Sequence, residues 1–113
     1  MPKEVSREKE LQTIYGELLQ KILVEIESQI PSSFPMYNQA LPYFFSFLCS
    51  NCILLDEIDE AAVVAFIEDR YLKGNRDTSI QIYLRAIDES FAQYFGIGLP
   101  TPGGRMWKSW FMR

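Results

Sequence analysis

Apolar side chains recur every three or four residues along most of this chain, which is the spacing of amphipathic helices. The first such stripe covers residues 6–30 and predicts a helix of about six turns. This stripe either packs into the core of its own domain, as in most amphipathic helices, or forms a binding surface for a partner. Its members are Leu11, Ile14, Tyr15, Leu18, Leu19, Ile22, Leu23, Ile26 and Ile30.

A second stripe follows a break at residues 31–35, where proline and serine interrupt the helical spacing. It predicts a helix that begins at Met36 or Asn38 and ends at Ser50. Pro42 sits either in the first turn of this helix or at a kink, because proline cannot donate the helical hydrogen bond. The inner face is largely aromatic and consists of Tyr37, Leu41, Phe44, Phe45, Phe47 and Leu48.

Two more stripes predict a third helix over residues 60–72 and a fourth that ends in a Gly- and Pro-rich segment. Asp59 is the expected N-cap of the third helix, and Gly74 closes it. Asn75 or Asp77 is the expected N-cap of the fourth. The expected buried residues are Val63, Val64, Phe66, Ile67, Tyr71, Ile80, Tyr83, Leu84, Ile87, Phe91, Tyr94 and Phe95.

No segment shows the strand-like alternation of useful length, so the pattern predicts an all-α protein. The 113 residues fit a single helical domain. We divide it into the long helix at 6–30, the remaining helices at 36–98, and a Pro/Gly linker with a Trp-rich tail at 99–113.

Composition and charge then narrow the function. The chain has no histidine, which removes Ser-His-Asp and Cys-His catalysis and every His-containing metal site. We therefore expect no enzyme activity, no cofactor and no metal. Fifteen acidic and eleven basic residues give a net charge of -4, so a nucleic-acid binder of this composition must concentrate its cations locally. No run approaches the ~20 apolar residues of a membrane span, and the N-terminus lacks a signal-peptide core. We expect a soluble, cytoplasmic protein.

Cys49 and Cys52 form a CxxC pair. A thioredoxin-type role needs this motif beside a βαβ unit, which the pattern lacks, and a zinc site made of four cysteines needs a second copy of the chain. The alternative is two small apolar side chains at the end of an aromatic helix. A second group, Asp56, Glu57, Asp59 and Glu60, lacks the spacing of a calcium loop and is expected to be a solvated acidic turn.

Basic residues concentrate around the turn into the fourth helix, as Arg70, Lys73, Arg76 and Arg85. Together with Thr78, Ser79 and Gln81 they have the composition of a phosphate-contacting patch, although an ordinary solvated helix boundary has the same composition.

The tail carries Trp107, Trp110 and Phe111, and tryptophan is enriched at the centres of protein interfaces. The tail either folds back on its own domain or binds another chain. The long N-terminal helix and this tail are the expected contact points for a homo-oligomer or a protein partner.

Several segments resemble the core-binding domain that precedes the catalytic domain of tyrosine recombinases and phage integrases. Residues 44–48 (FFSFL), 58–67 (IDEAAVVAFI), 79–91 (SIQIYLRAIDESF) and 98–100 (GLP) resemble consecutive elements of that domain. The resemblance covers residues 37–102. It implies a small SAM-like orthogonal four-helix bundle, here with an extra N-terminal helix, that contacts double-stranded DNA without catalysing a reaction.

The resemblance also implies a DNA-backbone contact set, namely Lys73, Arg76, Ser79, Gln81 and Arg85. Asp88 and Glu89 stand where the family tends to have basic residues, and the family's catalytic residues belong to a downstream domain outside this sequence. Two hypotheses result. The first is a non-catalytic domain that contacts the DNA backbone, and the second is an acidic protein–protein or oligomerisation module with the same fold.

Overall fold

A computed structural model describes residues 3–100 of the chain, with side chains from residue 7 onward. Four α-helices make up most of it: α1 (Lys3–Gln29), α2 (Phe34–Ser50), α3 (Glu60–Leu72) and α4 (Asp77–Phe95), with a 3-10 turn at Leu55–Glu57. No strand occurs among these residues, which confirms the all-α prediction. The SAM-like arrangement stays a prediction. The chain divides into two compact units, one up to Glu57 and one from Ile58 onward.

Unit 1 is a helical hairpin in which α1 and α2 pack along each other. The rings of Tyr15 and Phe45 meet edge to face across the pair, with centroids 5.3 Å apart. The buried stripe of α1 is narrower than predicted, because Ile14 is 52% exposed and Ile30 is 41% exposed. The buried apolar residues of the hairpin are Leu11, Tyr15, Ile22, Ile26, Tyr37, Ala40, Leu41, Phe44, Phe45, Leu48 and Cys49.

The second helix starts earlier than predicted, at Phe34. Pro35 lies in its first turn, where a proline is already in the helical conformation and its missing N–H is no loss. Pro42 consequently lies in the interior of α2 and not in its first turn. Proline there removes one helical hydrogen bond, and the helix nevertheless continues to Ser50.

The start of α3 agrees with the prediction. The carboxylate of Asp59 accepts a hydrogen bond from the Ala62 N–H at 2.9 Å, which satisfies one of the free amides of the first turn. Val63, Phe66 and Ile67 follow as fully buried side chains. Tyr71 was expected among them but is 38% exposed, because its hydroxyl reaches out to Asp77.

The predicted caps of α4 are wrong. The N-cap is Arg76, whose extended backbone precedes the helix and whose side chain makes no capping hydrogen bond. Asn75 and Asp77 have other partners: Asn75 accepts a hydrogen bond from Arg70, and Asp77 accepts one from the Tyr71 hydroxyl. Contacts back to α3 therefore compete with helix capping for both polar side chains.

The inner stripe of α4 agrees with the prediction except at its end. Ile80, Leu84, Ile87 and Phe91 are fully buried along the helix. Tyr94 and Phe95 were expected to continue the stripe but are half-buried, in the last turn of the helix.

The end of α4 is fixed by a left-handed residue and a side-chain contact. Gly96 has φ +67, which glycine adopts without steric cost, and it terminates the helix after Phe95. The Asp88 carboxylate then accepts a hydrogen bond from the Leu99 N–H at 2.8 Å. This bond ties the segment after α4 back to the helix, and Leu99 is buried there.

Candidate binding surface at the α3–α4 turn

The polypeptide reverses between α3 and α4 through a Schellman motif. The Gly74 N–H donates to the Tyr71 carbonyl at 3.0 Å, and the Asn75 N–H donates to the Arg70 carbonyl at 3.0 Å. Gly74 has φ +92, a conformation that side chains with a Cβ atom rarely adopt. The sequence Gly-Asn after the helix thus produces a tight, hydrogen-bonded turn.

Side chains from α3 hold the same turn from the other side. Arg70 is buried, and its Nε donates to the Asn75 Oδ1 at 2.8 Å. The Tyr71 hydroxyl donates to the Asp77 carboxylate. These two contacts join the last turn of α3 to the residues on each side of Arg76, so the backbone that carries Lys73 and Arg76 is held in place.

Three cations project from this region, and we call Lys73, Arg76 and Arg85 the basic patch. All three are exposed. The Lys73 ammonium lies 3.4 Å from the Asp69 carboxylate, a surface pair with a side-chain exposure of 62% on the lysine. Within residues 3–100 the guanidinium groups of Arg76 and Arg85 form no ion pair or hydrogen bond. Among the described residues, these two arginines therefore have no contact that an external anion would have to displace.

The other two residues of the predicted DNA contact set lie on different sides of α4. Gln81 precedes Arg85 by one helical turn, so both project from the same flank of the helix. Ser79 is two residues before Gln81 and is therefore rotated by about 200° around the helix axis. Both Ser79 and Gln81 are half-buried. The structure brings Gln81 and Arg85 together and separates Ser79 from them.

Acidic residues outnumber basic ones in the same unit. Residues 58–100 contain seven acidic and four basic side chains, a balance of -3. One of the four basic residues, Arg70, is buried in a structural contact and offers no charge to a ligand. Of the acidic residues, Asp77 and Asp88 accept internal hydrogen bonds from Tyr71 and from the Leu99 amide.

The CxxC pair lies in unit 1, at the end of α2. Cys49 is buried and Cys52 is half-buried, and the two are not joined by a disulfide. Burial, followed by the nearby Glu8 and Cys52, raises the pKa of the Cys49 thiol. Residues 3–100 hold no group of three or more Cys, Asp or Glu side chains arranged to bind a metal ion.

The acidic turn also has a structural use within unit 1. The Glu57 carboxylate accepts a hydrogen bond from the Leu54 N–H at 2.9 Å and lies 3.3 Å from the Arg7 guanidinium. Asp59 is the helix cap described above. The predicted partner-binding residues Trp107, Trp110 and Phe111 lie outside the described residues.

Sequence reasoning missed two residues that shape these surfaces. Arg70 was grouped with the exposed cations, but it continues the buried stripe of Val63, Phe66 and Ile67 at helical spacing, which is the signal that could have found it. Tyr15 was counted only as core. Its hydroxyl in fact donates to the Ile53 carbonyl at 2.8 Å, and no sequence pattern predicts that contact.

In the part of the chain that the structure describes, no helix is both long and apolar enough to cross a membrane. Comparison of the whole chain with protein-family models, with curated proteins and with solved structures gave no match. The likeness to a recombinase core-binding domain therefore rests on the sequence segments alone.

Proposed function

We propose that this chain is a non-catalytic helical binding domain that contacts the DNA backbone through the basic patch. The observation that carries the proposal is the state of Arg76 and Arg85, which are exposed and have no ion-pair partner among residues 3–100. Arginine forms paired hydrogen bonds with phosphate oxygens, and phosphate contacts supply most of the affinity of proteins for DNA.

The two arginines are far enough apart along the chain to contact separate phosphates. They are separated by nine residues, which corresponds to about 14 Å along a helix axis. Arg76 precedes the helix in extended backbone, so the helical rotation does not fix the direction of its side chain. Nine residues also correspond to about 180° of rotation around the helix axis, so we infer that the two arginines contact separate phosphates. Gln81 lies on the same flank as Arg85 and adds an amide that can bind a phosphate or sugar oxygen.

The fixed turn contributes to the same function. Because the Schellman motif and the contacts of Arg70 and Tyr71 hold the backbone, little conformational entropy of the turn is lost on binding. The first amides of α4 also point their N–H groups away from the helix beside Arg76, and helix N-termini favour phosphate.

Titration of a fluorescent DNA duplex by anisotropy at about 50 and 200 mM salt tests this proposal. We expect binding that weakens steeply with salt. Arg76→Ala and Arg85→Ala should each lower the slope of log K against log salt by about 0.9, the value for one lost phosphate contact. Ser79→Ala should have less effect than Gln81→Ala, because Ser79 lies on the other side of α4.

Lys21→Ala is the matched control, since Lys21 is an exposed cation on α1 in the other unit. It should bind DNA like the unchanged protein. Absence of binding at the lower salt concentration, or equal losses in all the cation variants including Lys21→Ala, would contradict the proposal.

A second candidate function, self-association through a protein interface, is favoured by one specific observation. Leu72 at the end of α3 is 88% exposed, and Ile82 on α4 is 51% exposed. Large apolar side chains exposed to this degree are typical interface contributors when they belong to a contiguous patch. The acidic balance of the unit also fits a protein partner better than a polyanion.

Sedimentation equilibrium over a range of protein concentrations distinguishes this candidate. If it is correct, Leu72→Ser weakens the association, and Trp107→Ala or Trp110→Ala in the tail weakens it by about 2 kcal/mol, or roughly 30-fold. Ala65→Ser, at an exposed position of α3, is the control. A monomer at all concentrations argues against self-association and leaves the DNA proposal as the better one.

A further inference from the structure

The end of α2 brings Cys49 and Cys52 together in a second Schellman motif. The Cys52 N–H donates to the Cys49 carbonyl at 3.1 Å, and the Ile53 N–H donates to the Leu48 carbonyl at 2.9 Å. The first of these bonds closes a four-residue turn, whose end Cα atoms lie within about 7 Å. Disulfides join cysteines whose Cα atoms are about 4.4 to 6.8 Å apart, a range that overlaps the separation such a turn allows.

The two thiols differ in access. Cys49 is buried, whereas Cys52 is half-buried at the surface end of the turn. Cys52 is close enough to be one of the causes that raise the pKa of the Cys49 thiol, after burial and Glu8. The accessible thiol is thus the one that an external disulfide meets first, and the buried thiol is positioned to displace the reagent.

Cys52 occupies the position after the helix where glycine is usual. Its φ is +53, and among residues 3–100 it is the one non-glycine residue with positive φ. A side chain in this left-handed conformation brings its Cβ close to the backbone carbonyl oxygen and is sterically unfavourable. Glycine would avoid that cost, but it could not supply a thiol within reach of Cys49.

We propose that Cys49 and Cys52 are a redox-sensitive pair that closes to an intramolecular disulfide in the presence of a small disulfide such as oxidised glutathione. The Cys52 thiolate attacks one sulfur of the reagent, forms a mixed disulfide and releases one glutathione thiolate. The Cys49 thiolate then attacks the Cys52 sulfur and releases the second. The protein loses two thiol protons and two electrons, and oxidised glutathione becomes two reduced molecules.

The position of the pair at a helix C-terminus affects the equilibrium between the dithiol and the disulfide. The C-terminal end of a helix carries partial negative charge and disfavours thiolates, opposite to redox motifs at helix N-termini. A dithiol that is not stabilised as the thiolate favours the disulfide at equilibrium, but it reacts slowly. The disulfide would hold the turn that presents the Ile53 carbonyl to the Tyr15 hydroxyl.

The test is incubation of the folded protein with oxidised and reduced glutathione in varied ratios, followed by acid quenching and mass spectrometry. We expect a species lighter by about 2 Da, the two thiol hydrogens. The ratio of oxidised to reduced glutathione that oxidises half of the protein should be at least about tenfold lower for the folded protein than for the same chain in urea. The reason is that the turn holds the two thiols together.

Two variants serve as controls. Cys52→Gly suits the left-handed backbone, and Cys49→Ser keeps a residue of similar size, so both should fold. Cys49→Ser should accumulate a stable mixed disulfide at Cys52, because the displacing thiol is gone. The proposal is wrong if the unchanged protein stops at the mixed disulfide, if it forms disulfide-linked dimers, or if the folded and unfolded chains oxidise at the same glutathione ratio.

Discussion

Among residues 3–100, the Schellman turns after α2 and after α3 carry different residues and have different roles. The turn after α2 has Cys52 in the left-handed position, and the turn after α3 has Gly74 there. After the first turn the chain is held against helix α1, since the Ile53 carbonyl accepts a hydrogen bond from the Tyr15 hydroxyl. After the second, the chain exposes Arg76 to solvent. The same backbone motif therefore fixes a loop against its own unit in one case and presents cations in the other.

The difference comes from the side chains around the turns. In unit 1, Glu57 accepts the Leu54 amide and pairs with Arg7, so this acidic residue of the loop is used internally. In unit 2, the buried Arg70 and the exposed Tyr71 satisfy the polar groups of the turn. Within residues 3–100, that division leaves Arg76 and Arg85 exposed and without an ion pair. Four substitutions test the comparison.

The largest expected effect follows replacement of Arg70 by alanine. The change removes the part-buried bond to Asn75 and leaves an amide oxygen without its partner, so we expect a loss of about 2–3 kcal/mol in the free energy of unfolding. Urea denaturation followed by circular dichroism measures it. The control is Lys73→Ala, which breaks an exposed ion pair and should cost under about 0.5 kcal/mol. Equal losses in the two variants would show that Arg70 does not hold the turn.

The second effect concerns the glycine of the α3–α4 turn. Gly74→Ala places a Cβ on a residue with φ +92, where nothing lies within 4 Å of the new atom, so the cost is one of backbone conformation alone. We expect about 1–2 kcal/mol of destabilisation. Gly16→Ala is the control, because the added Cβ there also meets nothing within 4 Å but lies within helix α1. It should stabilise the protein by up to about 1 kcal/mol.

The contact between Tyr15 and the loop after α2 should make the stability of the protein depend on pH in the alkaline range. Burial, helped by Cys49 and the acids of the loop, raises the pKa of Tyr15 to about 12. An unfolded tyrosine ionises near pH 10, so the unfolded chain loses this proton first. The free energy of unfolding therefore falls as the pH rises from about 10 to about 12, by about 1–2 kcal/mol.

Urea midpoints measured across that pH range test this assignment. Tyr15→Phe should be less stable than the unchanged protein by about 1 kcal/mol at neutral pH, because the bond to Ile53 is lost. It should also show a weaker alkaline decline. Tyr43→Phe changes another tyrosine of the same unit and is the comparison. If Tyr15→Phe shows the same decline in stability at alkaline pH as the unchanged protein, groups other than Tyr15 cause the decline.

The smallest effect is a gain. Cys52→Gly replaces a left-handed cysteine by the residue that this position favours, and we expect about 0.5–1 kcal/mol of added stability under reducing conditions. Cys52→Ala keeps the Cβ and should show little gain. If Cys52→Gly and Cys52→Ala have the same stability, the left-handed backbone of residue 52 carries no measurable energetic cost.

Local sequence signals predicted much of the fold. The bounds of α3, its cap at Asp59 and its closing glycine follow from interactions within a few residues of each other, which is why the pattern alone gave them. The stripe of α4 from Ile80 to Phe91 was predicted for the same reason. The cap of α4 was not, because Asn75 and Asp77 are engaged by residues of the preceding helix.

The candidate site divides in the same way. The sequence by itself determined the helices, the clustering of basic residues near one turn and the absence of histidine chemistry, because these depend on residue type and local spacing. Only the tertiary structure decided that the Arg70 guanidinium binds Asn75 while Arg76 and Arg85 stay exposed. It also decided that Tyr15 binds the loop after α2. A side chain's role in a contact depends on which helix face meets which neighbour, and residues many positions away in the chain set that.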